Sequence, residues 1–204
     1  MEGITGLQAE DFLHARRLGF AVKLLAVAQR IAGEGLQLRV HPALVRRDSL
    51  LGRVDGRMNG IMVKGNAAGV TMYYGAGAGS RETASAVVAD LVDLARALRA
   101  GGRGVHVPPL GFHEGEVTPP QVGSLEGVRM RNYLRLLLAE AKAGPQVIDV
   151  LARHGVHAEK GEQTRNTLVV LTREATESRV AQAMRELEGI VLPGPVRLRV
   201  EELG

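Results

Sequence analysis

The chain contains no cysteine. That absence removes disulfides, zinc–thiolate sites and thiol nucleophiles together, and it fits a reducing compartment. Tryptophan is absent too, and 204 residues hold only three Phe and three Tyr. With 45% hydrophobic residues, any core must be built from aliphatic volume rather than aromatic anchors. No apolar run approaches the roughly 18 residues of a membrane-spanning helix. The opening Met1-Glu2-Gly3-Ile4-Thr5 lacks the basic-then-apolar pattern of a signal peptide. These absences predict a soluble, cytoplasmic protein with no membrane partner. Lysine is scarce, at four of the 26 basic residues, which a GC-rich genome explains. The net charge of +4 and sequence pI of 9.8 raise nucleic acid as a partner. The basic residues, however, are scattered singly or in pairs such as Arg16-Arg17 and Arg46-Arg47, with no aromatics between them to stack bases. A nucleic-acid binder is not expected. There is also no Ser/His/Asp set, P-loop or paired-carboxylate motif at a usable spacing.

Glycine and proline are plentiful and unevenly placed. From 101 to 127 they include Gly101-Gly102, Pro108-Pro109, Gly111, Gly115, Pro119-Pro120 and Gly123, a composition that excludes regular helix and predicts a linker. It separates two folded regions, 1–100 and 128–204, and the fold class expected is α+β. The first region reads as a helix over 8–18, with Thr5 as cap and Glu10 and Asp11 favouring the helix dipole. Strands follow over 20–28 and 36–41, the latter alternating Leu36, Leu38 and Val40 with Gln37, Arg39 and His41, which predicts one wet face. A hairpin of strands 58–64 and 70–74 turns at 65–69, and a helix over 82–99 carries Val87, Val88, Leu91, Leu94, Ala95 and Leu98 as its apolar stripe. Short connections predict an antiparallel sheet with flanking helices. The second region reads β-α-β-β-α-β, the ferredoxin-like order.

The candidate site is the loop Gly75-x-Gly77-x-Gly79, after a strand and before a helix. Glycines let backbone approach a ligand, and a helix N-terminus offers free N–H groups. The spacing is not the dinucleotide fingerprint G-x-G-x-x-G. The residues alone leave two readings open: a ligand-touching loop, or a tight structural turn. His41-Pro42 reads as a structural strand end and Lys23 as a solvent-facing edge residue. Tyr73-Tyr74 reads as packing, and no metal site is expected.

Several segments, in order, resemble the carboxy-terminal half of the homoserine dehydrogenase catalytic region. They are Glu2-Gly3-Ile4, Leu18-Gly19-Phe20, Lys23-Leu24-Leu25, Leu38-Arg39-Val40-His41-Pro42 and Val54-Asp55-Gly56-Arg57-Met58-Asn59. The densest is Tyr73-Tyr74-Gly75-Ala76-Gly77-Ala78-Gly79, continuing through Thr83 to Leu91. Tyr133-Leu134-Arg135, Leu168-Val169-Val170-Leu171-Thr172 and Glu177 resemble the ACT domain that many bacterial members append. The resemblance implies part of an enzyme that interconverts aspartate semialdehyde and homoserine with NADP or NAD, towards threonine and methionine. It implies that Gly79, with Gly77 and Gly75, lies against the cofactor, and that the following helix returns to a nucleotide-binding domain. That domain's fingerprint and the family's G-x-D-x-x-x-K stretch are not in this sequence, so no catalytic residue is carried over. A separate nucleotide-binding chain and a homo-oligomer are the partners implied. The turn before the first ACT helix, Glu140-Ala141-Lys142-Ala143-Gly144-Pro145, departs from the family's Asp-x-Pro-Gly and is one residue short. The alternative reading is an ACT-type amino-acid-binding or dimerisation module without catalysis.

Overall fold

The computed structural model describes residues 3–31, 35–99, 119 and 121–202. The linker expected over 101–127 lies mostly outside the described residues. Elements follow in the order α1 (Ala9–Arg17), β1 (Phe20–Ile31), β2 (Gly35–Arg46), β3 (Met58–Gly65), β4 (Gly69–Ala76), α2 (Ser80–Arg99), β5 (Arg129–Met130) and β6 (Asn132–Leu137). Then come α3 (Gly144–Arg153), β7 (Ala158–Thr164), β8 (Thr167–Thr172), β9 (Ala175–Thr176), α4 (Glu177–Glu186) and β10 (Val196–Glu201).

The contacts divide the chain differently from the expected boundary at residue 100. One compact unit joins 1–52 with 121–203, and the other is 53–120. The reason is a shared sheet. Six strands lie in the order β1-β2-β10-β6-β8-β7, so the first hairpin and the carboxy-terminal strands form one structure. Residues 43–45 of β2 pair with 199–201 of β10, and β1 pairs with β2 antiparallel over all twelve residues. The pairs β10–β6, β6–β8 and β8–β7 are also antiparallel.

Both faces of the central strands are covered, which explains the unbroken apolar run Leu168-Val169-Val170-Leu171. Leu134, Leu136, Leu168 and Val170 pack with Val147, Val150 and Leu151 of α3 and Val180 and Ala183 of α4. On the other face Tyr133, Val169, Leu171, Val196, Leu198 and Val200 pack with Ala15 of α1, Phe20 and Leu44. The cap of α1 is Gln8, not Thr5. Gln8 N–H donates to Asp11 Oδ2 at 2.9 Å, and the Gln8 side chain in turn takes the backbone N–H of the third helical residue.

Two expectations about faces are reversed. Along β2 the polar residues Gln37, Arg39 and His41 are buried, while Leu38 and Val40 are 49% and 57% exposed. The strand also runs on through Pro42 to Arg46 instead of ending at His41-Pro42. Pro42 is tolerated because pairing with β10 begins only at Ala43. The second unit is a β3–β4 hairpin, with Met58 opposite Ala76 and Gly65 opposite Gly69, followed by α2. None of its described residues from 53 to 99 is buried, and the α2 stripe is bare. Tyr73 and Tyr74, expected to pack, are 69% and 58% exposed. Among the described residues no helix is long and apolar enough to cross a membrane.

Candidate functional site

The glycine loop begins in β4, where Gly75 lies opposite Asn59, and ends at the first turn of α2. The helix is entered by Thr83 N–H donating to Gly79 C=O at 3.0 Å. The three glycines differ in what they require. A Cβ on Gly75 meets nothing within 4 Å. A Cβ on Gly77 collides with the Asn59 amide, so a neighbour within the hairpin explains that glycine. Gly79 has φ of 145°, a backbone conformation that side chains rarely adopt, and a Cβ there meets the Glu82 carboxylate. Glu82 is held in turn by Arg57 Nη1 at 3.1 Å. The turn therefore supplies local reasons for Gly77 and Gly79. Open space beside Gly75 leaves room for a ligand. Gly79, Ser80, Thr83, Ala84, Val87 and Val88 line a shallow apolar depression of about 610 Å³. The loop thus presents backbone and an apolar wall but no acid or base aimed at a substrate. Among the described residues no group of three His, Cys, Asp or Glu could hold a metal ion.

The titratable chemistry sits elsewhere, in three buried clusters. Asp11 is fully buried and accepts from Tyr133 Oη at 2.9 Å, Arg135 Nε at 2.7 Å and Arg135 Nη2 at 3.1 Å. Burial, then the Asp11 charge and hydrogen bond, push the Tyr133 phenol far above its usual range; the Asp11 hydrogen bond also raises Arg135. Tyr133 and Arg135, which carry part of the family resemblance, thus clamp α1 onto β6. Glu177 starts α4 and accepts from Arg197 Nη2 at 2.6 Å and from Arg199 Nε and Nη2 at 3.0 and 2.6 Å, tying α4 to β10.

The third cluster joins β2 to the end of β10. Glu201 accepts from Arg39 Nε at 2.7 Å, Arg39 Nη2 at 2.9 Å and His41 Nε2 at 3.0 Å. The other ring nitrogen of His41 lies 3.1 Å from Pro42 C=O. Both ring nitrogens thus face acceptor oxygens. Burial alone would raise the Glu201 carboxyl. The Arg39 and His41 hydrogen bonds outweigh it and hold the group at about 2. Lys23 is half-buried in edge strand β1, opposite Ala43.

Residues 1–92 match the homoserine dehydrogenase family model, a span that includes β1 to β4, the glycine loop and the first part of α2. The homoserine dehydrogenase of Pseudomonas aeruginosa is 39% identical across 99% of this chain. This chain is a homologue of part of homoserine dehydrogenase. It spans about half the length of the curated relatives it matches: 48% of the P. aeruginosa protein and 45% of the Neisseria gonorrhoeae homoserine dehydrogenase, which is 38% identical across 93% of the chain. A crystal structure of the homoserine dehydrogenase from Thiobacillus denitrificans superimposes with a TM-score of 0.82 at 38% identity, covering 99% of this chain and 47% of that one. The S. aureus homoserine dehydrogenase, at 22% identity and a TM-score of 0.66, shares the fold. The likeness to homoserine dehydrogenases therefore runs beyond the family segment at 92, through the βαββαβ elements to the last strand.

The buried clusters had partial signals in the sequence. Asp11 was visible only as a first-turn acid, and nothing local tied it to Tyr133 and Arg135, more than 120 residues away. Glu201 closes a strictly alternating strand, and alternation reads as a wet polar face unless the partners of that face are known.

Proposed function

We propose that this chain forms the substrate-domain and regulatory part of a homoserine dehydrogenase, which interconverts aspartate semialdehyde and homoserine with NADP or NAD. The observation that carries this is co-linear similarity at 38–39% identity over 99% of the chain, against less than half of each relative's length. The role fits the enzyme step that supplies threonine and methionine synthesis, in the cytoplasm. The strand–helix–strand–strand–helix–strand order of β6, α3, β7, β8, α4 and β10, with the two-residue β9 paired to β5 outside this sheet and the sheet order β10-β6-β8-β7, supports an ACT-type reading of 128–204.

The cofactor reading rests on fit. Gly75 has open space where a Cβ would stand, and the loop opens onto the α2 N-terminus, which favours an anionic ligand group. Gly75, Gly77 and Gly79 would hold backbone against the nicotinamide dinucleotide, which supplies the hydride. Hydride transfer needs the nicotinamide within about 3.5 Å of the carbonyl carbon. That positioning belongs to the half of the relatives' length that this chain does not span, so a nucleotide-binding portion is the partner proposed. Purified chain is expected to give no homoserine-dependent reduction of NADP or NAD, and to restore it when mixed with the amino-terminal half of the P. aeruginosa relative. Activity of the chain alone, or no activity in the mixture while the two halves bind, would overturn the reading.

A further inference from the structure

One face of the β3–β4 hairpin has a flat floor and two different edges. Directly opposite residues of an antiparallel pair share a face, and so do residues two apart along a strand. Asn59 lies opposite Gly75 and Ile61 opposite Tyr73, so these four residues fall on one face. Gly77, just past the end of β4, joins them, because the Asn59 carboxamide lies where its Cβ would stand. The floor is backbone: Gly75 and Gly77 carry no side chains, and a Cβ on Gly75 would meet nothing within 4 Å. Ile61 and Tyr73, 66% and 69% exposed, form the apolar and aromatic edge. The Asn59 carboxamide, also exposed, forms the polar one. Among the described residues it makes no hydrogen bond, so its donors and its acceptor are all open to a ligand. Glycine at 77 thus makes room for an amide that the hairpin itself does not use.

The chemistry of an occupant follows from these atoms. An asparagine side chain offers two N–H donors and one carbonyl acceptor. A second primary amide is its complement, with one N–H···O bond in each direction. A carboxylate or phosphate uses only the donors and leaves the Asn59 oxygen without a partner. The nearby cation Arg57 is held by Glu82 at 3.1 Å. A flat ring also suits the floor of bare backbone and the Tyr73 edge, since aromatic faces stack on planar groups. We propose that Asn59 is a specificity-determining residue of the glycine loop, pairing through its carboxamide with the carboxamide of the nicotinamide ring. This rests on the oxidoreductase reading and deepens it: Gly75 and Gly77 supply the surface, and Asn59 recognises the substituent of the ring. A bare glycine surface leaves the ring free to turn in its own plane, and the amide pair removes that freedom.

The test uses the full chain mixed with the amino-terminal half of the P. aeruginosa relative and reads dissociation constants by isothermal titration. The probes are NADP or NAD and the matching 3-acetylpyridine dinucleotide, in which a methyl group replaces the amide nitrogen. The wild-type mixture should bind the nicotinamide form about tenfold or more tightly than the acetyl form, or about 1.4 kcal/mol. Asn59→Leu keeps similar volume without polar atoms. It should weaken the nicotinamide form about tenfold and bind the two forms about equally. Asn59 is exposed, so this variant should melt at the wild-type temperature. Gly77→Ala gives a second reading, because its methyl collides with the Asn59 amide. Adding Asn59→Ala clears the collision, since the Asn59 Cβ lies 3.7 Å away. The double variant should melt like wild type yet remain unable to tell the two dinucleotides apart. An asparagine that only packs against Gly77 predicts instead equal changes for both dinucleotides and recovery in the double variant. Equal affinities in wild type, discrimination retained in Asn59→Leu, or discrimination restored in the double variant would each overturn the proposal. Binding of neither dinucleotide by the wild-type mixture, while the halves associate, would overturn the oxidoreductase reading on which it rests.

Discussion

At the scale of single residues, Asp11 has the most to lose. Its carboxylate collects donors from Tyr133 and Arg135 and sits at zero exposure. Asp11→Asn leaves a buried arginine without its counter-charge, so the expected loss is about 3–5 kcal/mol, measured as a shift of the urea midpoint. A loss below about 1 kcal/mol would match an exposed pair and would remove the clamp argument. Glu201 gives a pH signature. Its folded-state value of about 2 lies below the ordinary 4.5, so ionised Glu201 favours the fold. That contribution is complete above about pH 4.5 and is lost as pH falls towards 2, a change on the order of 1–3 kcal/mol. Stability measured against pH should therefore fall less steeply in this window for Glu201→Gln than for wild type; parallel curves would refute the assignment. These residues also mark what was legible. The alternation of β2 and β10 was visible, and with it which residues share a face. Which face is buried was not, because burial of Gln37, Arg39 and His41 is decided by Glu201 and its neighbours, about 160 residues downstream.

At the scale of elements, helices α2, α3 and α4 and the strand order from β6 to β10 were readable from period and turn chemistry. The glycine loop was readable as a loop, and its two readings now make different demands on neighbouring positions. Gly75→Ala places a methyl in open space and should leave the fold intact. If the loop touches a dinucleotide, the same methyl lowers cofactor affinity in the mixture with an amino-terminal half. Gly79→Ala is strained whatever the ligand, because φ is 145°. It should cost about 1 kcal/mol or more and speed hydrogen exchange in the first turn of α2. If Gly75→Ala leaves cofactor affinity unchanged while Gly79→Ala still loosens that turn, the loop is a structural turn alone. The two edges of the sheet contrast as well. Edge strand β7 reads Ala-Glu-Lys-Gly-Glu-Gln-Thr, charged and glycine-broken, as unpaired edges in water are. Edge strand β1 reads Phe-Ala-Val-Lys-Leu-Leu-Ala-Val-Ala-Gln-Arg-Ile, with Lys23 as the charge within its apolar stretch.

For the whole molecule, the bare apolar surfaces decide the expected assembly. Leu24 is 63% exposed on β1, beside Leu38 and Val40 on β2, and a hairpin with one helix and no buried residue does not stand alone in water. We expect a homodimer or larger, and light scattering that shows a dilution-stable monomer near 21.8 kDa would refute this. Leu24→Lys with Val40→Lys should shift the mass towards monomer if the β1–β2 face is the contact.

The pairing of β2 with β10 also sets a clock for synthesis. Ala43 leaves the ribosome 156 residues before Arg199, the difference between the two positions, and 43–45 pair with 199–201. At about 5–20 residues per second this is roughly 8–30 s. Throughout that interval one side of β2 has no β10 beside it, and for the first part of it the Asp11 carboxylate waits for Tyr133 and Arg135. A nascent hairpin as long and apolar as β1–β2 is prone to self-association during such a delay. Chains halted before β10 are therefore expected to accumulate as aggregates or to be held by chaperones, whereas full-length chains escape once the last strand is delivered.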